Sequence, residues 1–256
     1  QALSVLLSLL IIRRQKLPFA LCKSDVKADP TRMGAVLRLG FPIALQDVLV
    51  GISFLAITAI VNTLGVTISA GVGIAEKLCG FIMLVPSAFS QAMSAFVAQN
   101  MGAKEPGRAR RGLVYGIAAS LAVGVVMGYF TFFHGDLLVG IFVSGKDPAV
   151  IAAAAEYLKA YAIDCLFVSF LFCLIGYFNG CGKTTFVMLQ GIIGAFGVRV
   201  PVSFFMSKRS PVSLFHIGLA TPCSSVVQIL LCGAYFLLLA HAAKQDTWDM
   251  EKRQSA

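Results

Sequence analysis

The chain has 256 residues, 58% of them apolar and 13% charged, with a mean hydropathy of +0.84. An ordinary soluble domain is about 45–50% apolar and about 25% charged, so this composition excludes a conventional soluble fold and points to a membrane protein. The net charge of +9 is not a nucleic-acid footprint, because Lys and Arg collect in short segments between apolar runs instead of forming one basic face; no nucleic-acid partner is expected. The seven cysteines are an odd number without C-x-x-C spacing, which suggests neither a disulfide framework nor a zinc site.

The chain opens on QALSVLLSLLII, which at about 1.5 Å per residue covers only about 18 Å. Residues 1–12 are expected to be the end of a transmembrane helix whose start lies upstream; the alternative is a natural half-length protein that assembles as a dimer. A basic segment follows, with seven Lys and Arg between residues 13 and 38. Apolar runs at 41–64, 78–98, 112–133, 158–178, 186–206 and 214–240 each supply the roughly 20 residues that cross about 30 Å of hydrocarbon. The expected fold class is therefore all-α, a polytopic membrane bundle of six complete helices, with kinks at Pro86, Pro201 and Pro222. Between the third and fourth runs, DLLVGIF (136–142) reads as a short amphipathic helix. Asp147-Pro148 reads as a helix start with proline at the first position, opening a helix of about thirty residues that ends near Phe178, more than a bilayer needs.

GYFNGCGKTT (176–185) ends as a phosphate-binding loop ends. The pattern G-x-x-x-x-G-K-[ST] needs its first glycine at position 177, where Tyr177 stands, and a strand before it. The stretch follows a long apolar helix instead, so no nucleotide site is expected. A nucleotide-dependent membrane enzyme would predict ATP binding that Lys183→Ala abolishes. Gly180 and Gly182 permit a tight turn, and Thr184 or Thr185 is expected to cap the next helix. Fifteen of the twenty-one Lys and Arg fall at residues 13–38, 102–111, 183 and beyond 240, which predicts that residues 13–40, 102–111, 179–185 and the C-terminus are cytoplasmic.

The residues also carry a resemblance. GFPIALQ (40–46) resembles the G-x-P-x-x-x-Q opening of the second lobe in the multidrug and toxic compound extrusion (MATE) transporters. LVPSAFSQAMSAFVAQNMGAKEPGRARRG (84–112) is similar to the helix and basic loop, ending Q-N-x-G-A, that recur in both lobes of that family. LVGIF, DPAVIAAAAEYLKAYA and GYFNGCGKT match in position. The resemblance covers essentially the whole chain. It implies a two-lobe protein of twelve helices with its substrate cavity between the lobes, in which residues 1–12 end helix six. Residues 13–40 would then be the cytoplasmic inter-lobe linker, 41–240 the six-helix C-terminal lobe, and 241–256 a cytoplasmic tail. The implied function is export of drugs or other amphiphilic organic compounds across the cytoplasmic membrane by antiport against H⁺ or Na⁺, with no enzyme activity and no cofactor beyond the coupling ion. The implied partners are the lipid bilayer, the first lobe of the same protein and small amphiphilic or cationic substrates. The alternative within the superfamily is a lipid-linked oligosaccharide flippase, which would line its cavity with more cations.

Ionisable groups inside the membrane are the default site candidates, since each costs at least roughly 2.5–3.5 kcal/mol at the bilayer centre. Asp164 reads either as a carboxylate that exchanges a proton or Na⁺ against drug or as a structural partner of Arg199, which lies at nearly the same depth. Glu76 and Lys77 precede the second run and are expected to snorkel to the interface. Asp47 is expected near the cytoplasmic interface, solvated or against a linker cation. Gln46, Asn62, Gln91 and Asn179 read as groups that hydrogen-bond neighbouring helices, and the resemblance also places Gln46 in the cavity. In Na⁺-coupled members a Glu stands where this chain has Val50, and an acid of their tenth helix falls near Val168, one turn from Asp164.

Overall fold

The computed structural model of the chain describes residues 3, 6, 7, 10, 11, 29–142 and 147–254, with the side chains of 142 and of 242 onward left aside. Two compact units divide the chain, Gln1–Arg38 and Leu39–Ala256. Within the first, Leu3, Leu6, Leu7, Leu10 and Ile11 are helical, and Asp29 accepts hydrogen bonds from the Thr31 N–H at 2.9 Å and pairs with Arg32 at 3.2 Å. That start opens α1, Pro30–Asn62. The expected linker is therefore helical from Pro30 onward; residues 13–28 of it lie outside the described residues.

All regular structure among the described residues is helical, and six segments are long and apolar enough to cross a membrane. After α1 come α2 (Val66–Ile82) and α3 (Leu84–Gly102), two parts of one 37-residue span. Next are α4 (Pro106–Phe133), the short α5 (Gly135–Phe142) and α6 (Pro148–Gly180). The fifth span is α7 (Thr184–Ile192), a π-helical stretch Ile193–Arg199, and α8 (Val200–Ser207). The short α9 (Leu214–Gly218) and α10 (Ala220–Gln254) complete the chain. The number of spans matches the expectation from the apolar runs. Two boundaries differ. α1 begins eleven residues earlier than expected, because Asp29-Pro30 starts it. The second span begins at Val66 and not near residue 78, because its glycine, threonine and serine residues dilute apolarity without breaking a helix that neighbours cover.

Of the four prolines inside the spans, Pro42 lies within the unbroken α1, and the other three each mark a backbone irregularity. A proline has no N–H to give the carbonyl four residues earlier. Pro86 accordingly follows the interruption at Met83, Pro222 follows the one at Leu219, and Pro201 follows the π-helical stretch, where the Val200 N–H reaches back to the Ala195 carbonyl. The Ser224 hydroxyl, across the bundle, donates to the Gly194 carbonyl at 2.7 Å.

α6 is the axis of the second unit, with nineteen buried residues, and it starts where Asp147-Pro148 predicts: the Ala149 N–H donates to Asp147 Oδ1 at 3.0 Å. Its neighbours approach closely because small residues meet. In α4, Gly124 and Gly128 lie against Cys165 and Ala162; a Cβ on Gly124 would come within 2.9 Å of the Cys165 carbonyl. Further along α6, Gly176 and Gly180 seat against Ser90 and Ser94 of α3. Such seams replace the hydrophobic drive that lipid does not provide. Apolar clusters close both ends of α6, one around Tyr157, Leu158 and Tyr161, the other around Leu174, Tyr177 and Phe178.

GCGKT closes α6. Gly182 has φ +72°, its N–H donates to the Asn179 carbonyl at 2.9 Å, and the Lys183 N–H donates to the Phe178 carbonyl at 2.8 Å. This pair of bonds is a Schellman C-cap. The two amides that a phosphate cradle would use are spent on the helix end. Neither threonine caps α7: Lys183 is its N-cap residue without a side-chain hydrogen bond, and Thr184 is already helical and 3% exposed. The turn after α3 has the same closure, with Lys104 at φ +59° in the glycine-favouring position and the Glu105 N–H donating to the Asn100 carbonyl at 2.9 Å.

Two stability outcomes follow from these contacts. Gly182→Ala has space for its methyl but not the conformation and should destabilise by about 1–2 kcal/mol, whereas Lys104→Gly should stabilise by up to about the same amount; thermal unfolding in lipid nanodiscs measures both. Gly124→Val should cost about 1–3 kcal/mol by overpacking the α4–α6 seam, while Gly73→Ala, with open space around it, should be neutral or stabilising by the same measurement.

Candidate functional site

A cavity of about 730 Å³ opens inside the second unit, between α1 on one side and α2, α3, α6, the π-helical stretch and α10 on the other. That volume lies in the range of small-molecule sites. Each of the three proline-associated irregularities gives it a wall: Met83 from the α2–α3 break, Arg199 from the π-helical stretch, and Thr221 and Ser225 from the start of α10. The other lining is drawn from regular faces. α1 contributes Gln46, Asp47, Val50 and Phe54 along one stripe, and α6 contributes Tyr161, Asp164, Val168 and, further along, Asn179.

All six residues singled out in the sequence as substrate- or ion-binding candidates, Gln46, Glu76, Gln91, Asp164, Asn179 and Arg199, line this cavity. Two expectations about individual groups need correction. Glu76 does not snorkel from a helix end: it stands ten residues into α2, about 15 Å by helical rise, and accepts from the Thr58 hydroxyl of α1 at 3.2 Å. Lys77 beside it is exposed on the other face of the same helix interior. Asp47 does not sit at a helix end, because α1 starts seventeen residues before it, and it faces the cavity. Asn62 hydrogen-bonds the neighbouring helix, as expected: it accepts from the Ser69 hydroxyl and closes the α1–α2 turn.

Asp164 and Arg199 share the cavity without forming an ion pair; Arg32–Asp29 is the ion pair among the described residues. Arg199 instead donates from Nη1 to the Ser53 hydroxyl at 3.3 Å and lies over the Phe54 ring, its guanidinium carbon 4.5 Å from the centroid, so it fastens α1 to the fifth span. Its Nε has no acceptor. Asp164 is fully buried, and neither carboxylate oxygen meets a partner in hydrogen-bonding geometry; Ser225 is the hydroxyl that faces it and Arg199 the nearby positive charge. The carboxylate is therefore held in the interior, at the wall of the cavity. Counting charges, three carboxylates (Asp47, Glu76, Asp164) face one guanidinium.

Amides occupy other parts of the wall. Gln46 lies against Gly191 and Gln228 against Gly194, each glycine making room for the side chain, and Asn179 Oδ1 is buried without a partner. Val50 and Val168, the positions that the resemblance marks for acids in Na⁺-coupled proteins, also line the cavity. Sequence reasoning missed the hydroxyls and rings, Ser87, Ser90, Ser225, Tyr161 and Phe172; the Ser224-Ser225 pair inside an apolar run is the signal that pointed to one of them. No group of three or more His, Cys, Asp or Glu that could hold a metal ion occurs among the described residues.

Comparison with known proteins places this arrangement. The MatE family model matches residues 42–205, which includes the cavity wall from α1 to Arg199. Among curated relatives, the probable multidrug resistance protein YoeA of Bacillus subtilis (strain 168) is 22% identical over 90% of this chain and 50% of its own length. The probable multidrug resistance protein NorM of Aromatoleum aromaticum is 29% identical over 69% of this chain and 38% of its own. Among solved structures, a MATE in the bent conformation superposes with TM-score 0.74 at 22% identity, covering 84% of this chain and 46% of that one. An outward-facing multidrug resistance MATE family transporter of the MOP superfamily gives TM-score 0.73 at 22% identity over 81% and 45%. The chain spans about half the length of the curated relatives it matches. A family match over most of the chain, together with six membrane-length helices, makes this chain a multi-pass membrane protein belonging to the MatE family of multidrug and toxic compound extrusion transporters.

Proposed function

We propose that the protein of which this chain is part exports amphiphilic, predominantly cationic organic compounds by antiport against H⁺ or Na⁺, and that the cavity within this chain takes part in the exchange. The observation that carries the reading is Asp164, a buried carboxylate in the wall of a drug-sized cavity, faced by the Ser225 hydroxyl but with neither oxygen in hydrogen-bonding geometry with a partner. An uncompensated carboxylate in such a place is costly, and a bound proton, a bound Na⁺ or a substrate cation each relieves that cost. The three satisfy the same group and so exclude one another, which is the requirement for antiport.

The excess of carboxylates over guanidinium in the cavity favours a positive ligand over the pyrophosphate of a lipid-linked sugar, which a flippase would hold with several cations. Phe54, Tyr161 and Phe172 supply aromatic surface for the apolar part of such a ligand. The names of the curated relatives, probable multidrug resistance proteins, agree with this substrate class. For orientation, the excess of Lys and Arg at residues 13–40, 102–111, 179–185 and in the C-terminal segment assigns these to the cytoplasmic side of the cell membrane.

Cells producing the complete gene product should extrude a fluorescent cationic dye when a Na⁺ or proton gradient is imposed, with Asp164→Asn reducing the initial rate at least tenfold. Efflux that persists with both gradients collapsed sinks coupling, and unchanged transport by Asp164→Asn removes that residue from the exchange. Glu76→Gln tests the second acid: a reduced rate with the Thr58 contact otherwise kept assigns it a share of the coupling charge.

A further inference from the structure

The face that α6 turns to the cavity runs from Tyr161 through Asp164, Val168, Leu171, Phe172 and Ile175 to Asn179. This spacing is one helical stripe, and Asp164 and Asn179, 15 residues apart, are about 22 Å from each other by helical rise. Each carries a buried acceptor without a hydrogen-bond partner, the Asp164 carboxylate and Asn179 Oδ1, and the four stripe residues between them are apolar. The chemistry of the two ends differs. Glu76 and Arg199 share the cavity with Asp164, so that end is ionic; beside Asn179 the α3 wall offers the neutral amide of Gln91, next to Ser90, whose carbonyl abuts Gly176. The cavity of about 730 Å³ that runs past this stripe has room for an extended chain or a planar ring system.

We propose that this cavity selects elongated molecules with two donor groups, a cationic group held by Asp164 and a neutral hydrogen-bond donor held by Asn179 about 20 Å away, joined by a linear or planar apolar body. The inference rests on the reading of the cavity as a substrate site and narrows it. α6 acts as a rail whose two unpartnered acceptors measure the ligand, and the glycine seams that fix α6 against α3 and α4 keep that distance constant.

The test is calorimetric titration of the full gene product in lipid nanodiscs, with empty nanodiscs subtracted, using linear alkylammonium ions of about 5–25 Å end to end that terminate either in hydroxyl or in methyl. The hydroxyl-terminated series should show its highest affinity near 20 Å and there exceed its methyl counterpart by about fivefold, the worth of one net hydrogen bond. Asn179→Asp, which keeps an acceptor and adds charge, should turn the preference toward the α,ω-diammonium ion of the same length by about tenfold; should that variant not fold, the length optimum of the unaltered protein still decides. Affinity that rises steadily with chain length and ignores the terminal hydroxyl overturns the proposal while leaving the substrate site in place. Failure of every cation to bind, at any length, sinks the site reading itself.

Discussion

Hydrocarbon offers a backbone no hydrogen bonds, and this constraint organises the protein. A proline inside a spanning helix leaves a carbonyl without its donor, so each internal proline needs either a neighbour's polar group or a place where water and ligands can reach. Pro86, Pro201 and Pro222 meet that need around the same space: the breaks at Met83 and Leu219 and the π-helical stretch before Pro201 all adjoin the cavity, and Ser224 donates to the Gly194 carbonyl within that stretch. The cavity and the helix irregularities are thus one feature seen from two sides. The wider π-helical turn ends on Arg199 and carries its guanidinium to Ser53 and Phe54 of α1.

The same constraint explains the distribution of polar groups. Where the bundle is closed, at the two ends of α6, the interior is aromatic and aliphatic. Charged groups stand between those plugs, where the wall is open. Asp164 keeps its charge-bearing oxygens free while Ser169, one turn further on, spends its hydroxyl on the Cys165 carbonyl at 2.6 Å. Glu156, outside that region, serves a structural end: it accepts from the Ser213 hydroxyl at 2.8 Å and from the Phe215 N–H, capping the short α9 from across the bundle.

Much of this architecture was legible in the sequence, for identifiable reasons. Six apolar runs gave six spans because membrane crossing is a matter of length and composition. Asp147-Pro148 announced the start of α6, and Asp29-Pro30 carries the same signal for α1, although the basic residues around it made it read as linker. The stretch from Val66 to Lys77 was passed over because Thr, Ser, Gly and a charged pair lower its apolarity, yet its Gly71 packs against Ala153 of α6. Candidate residues for the cavity could be drawn from intramembrane polarity alone, and all six do face it. Their pairings could not: whether Arg199 turns to Asp164 or to Ser53 depends on which helices adjoin, and no spacing along one chain encodes that. The G-x-x-x-G pairs at 124–128 and 176–180 were present in the sequence as seams between unspecified partners.

Those seams divide the cavity wall mechanically. Where Gly124, Gly128, Gly176 and Gly180 meet their neighbours, the backbones touch and leave no free volume, so α3, α4 and α6 behave as a single stiff body. α1 meets the rest of the bundle through side chains, with Thr58 on Glu76 of α2, Phe54 and Ser53 on Arg199 of the π-helical stretch, and Gln46 on Gly191 of α7, and such contacts exchange without moving a backbone through another. One wall of the cavity is therefore a template and the facing wall a follower, and any change in the volume that a ligand meets is drawn from the side of α1.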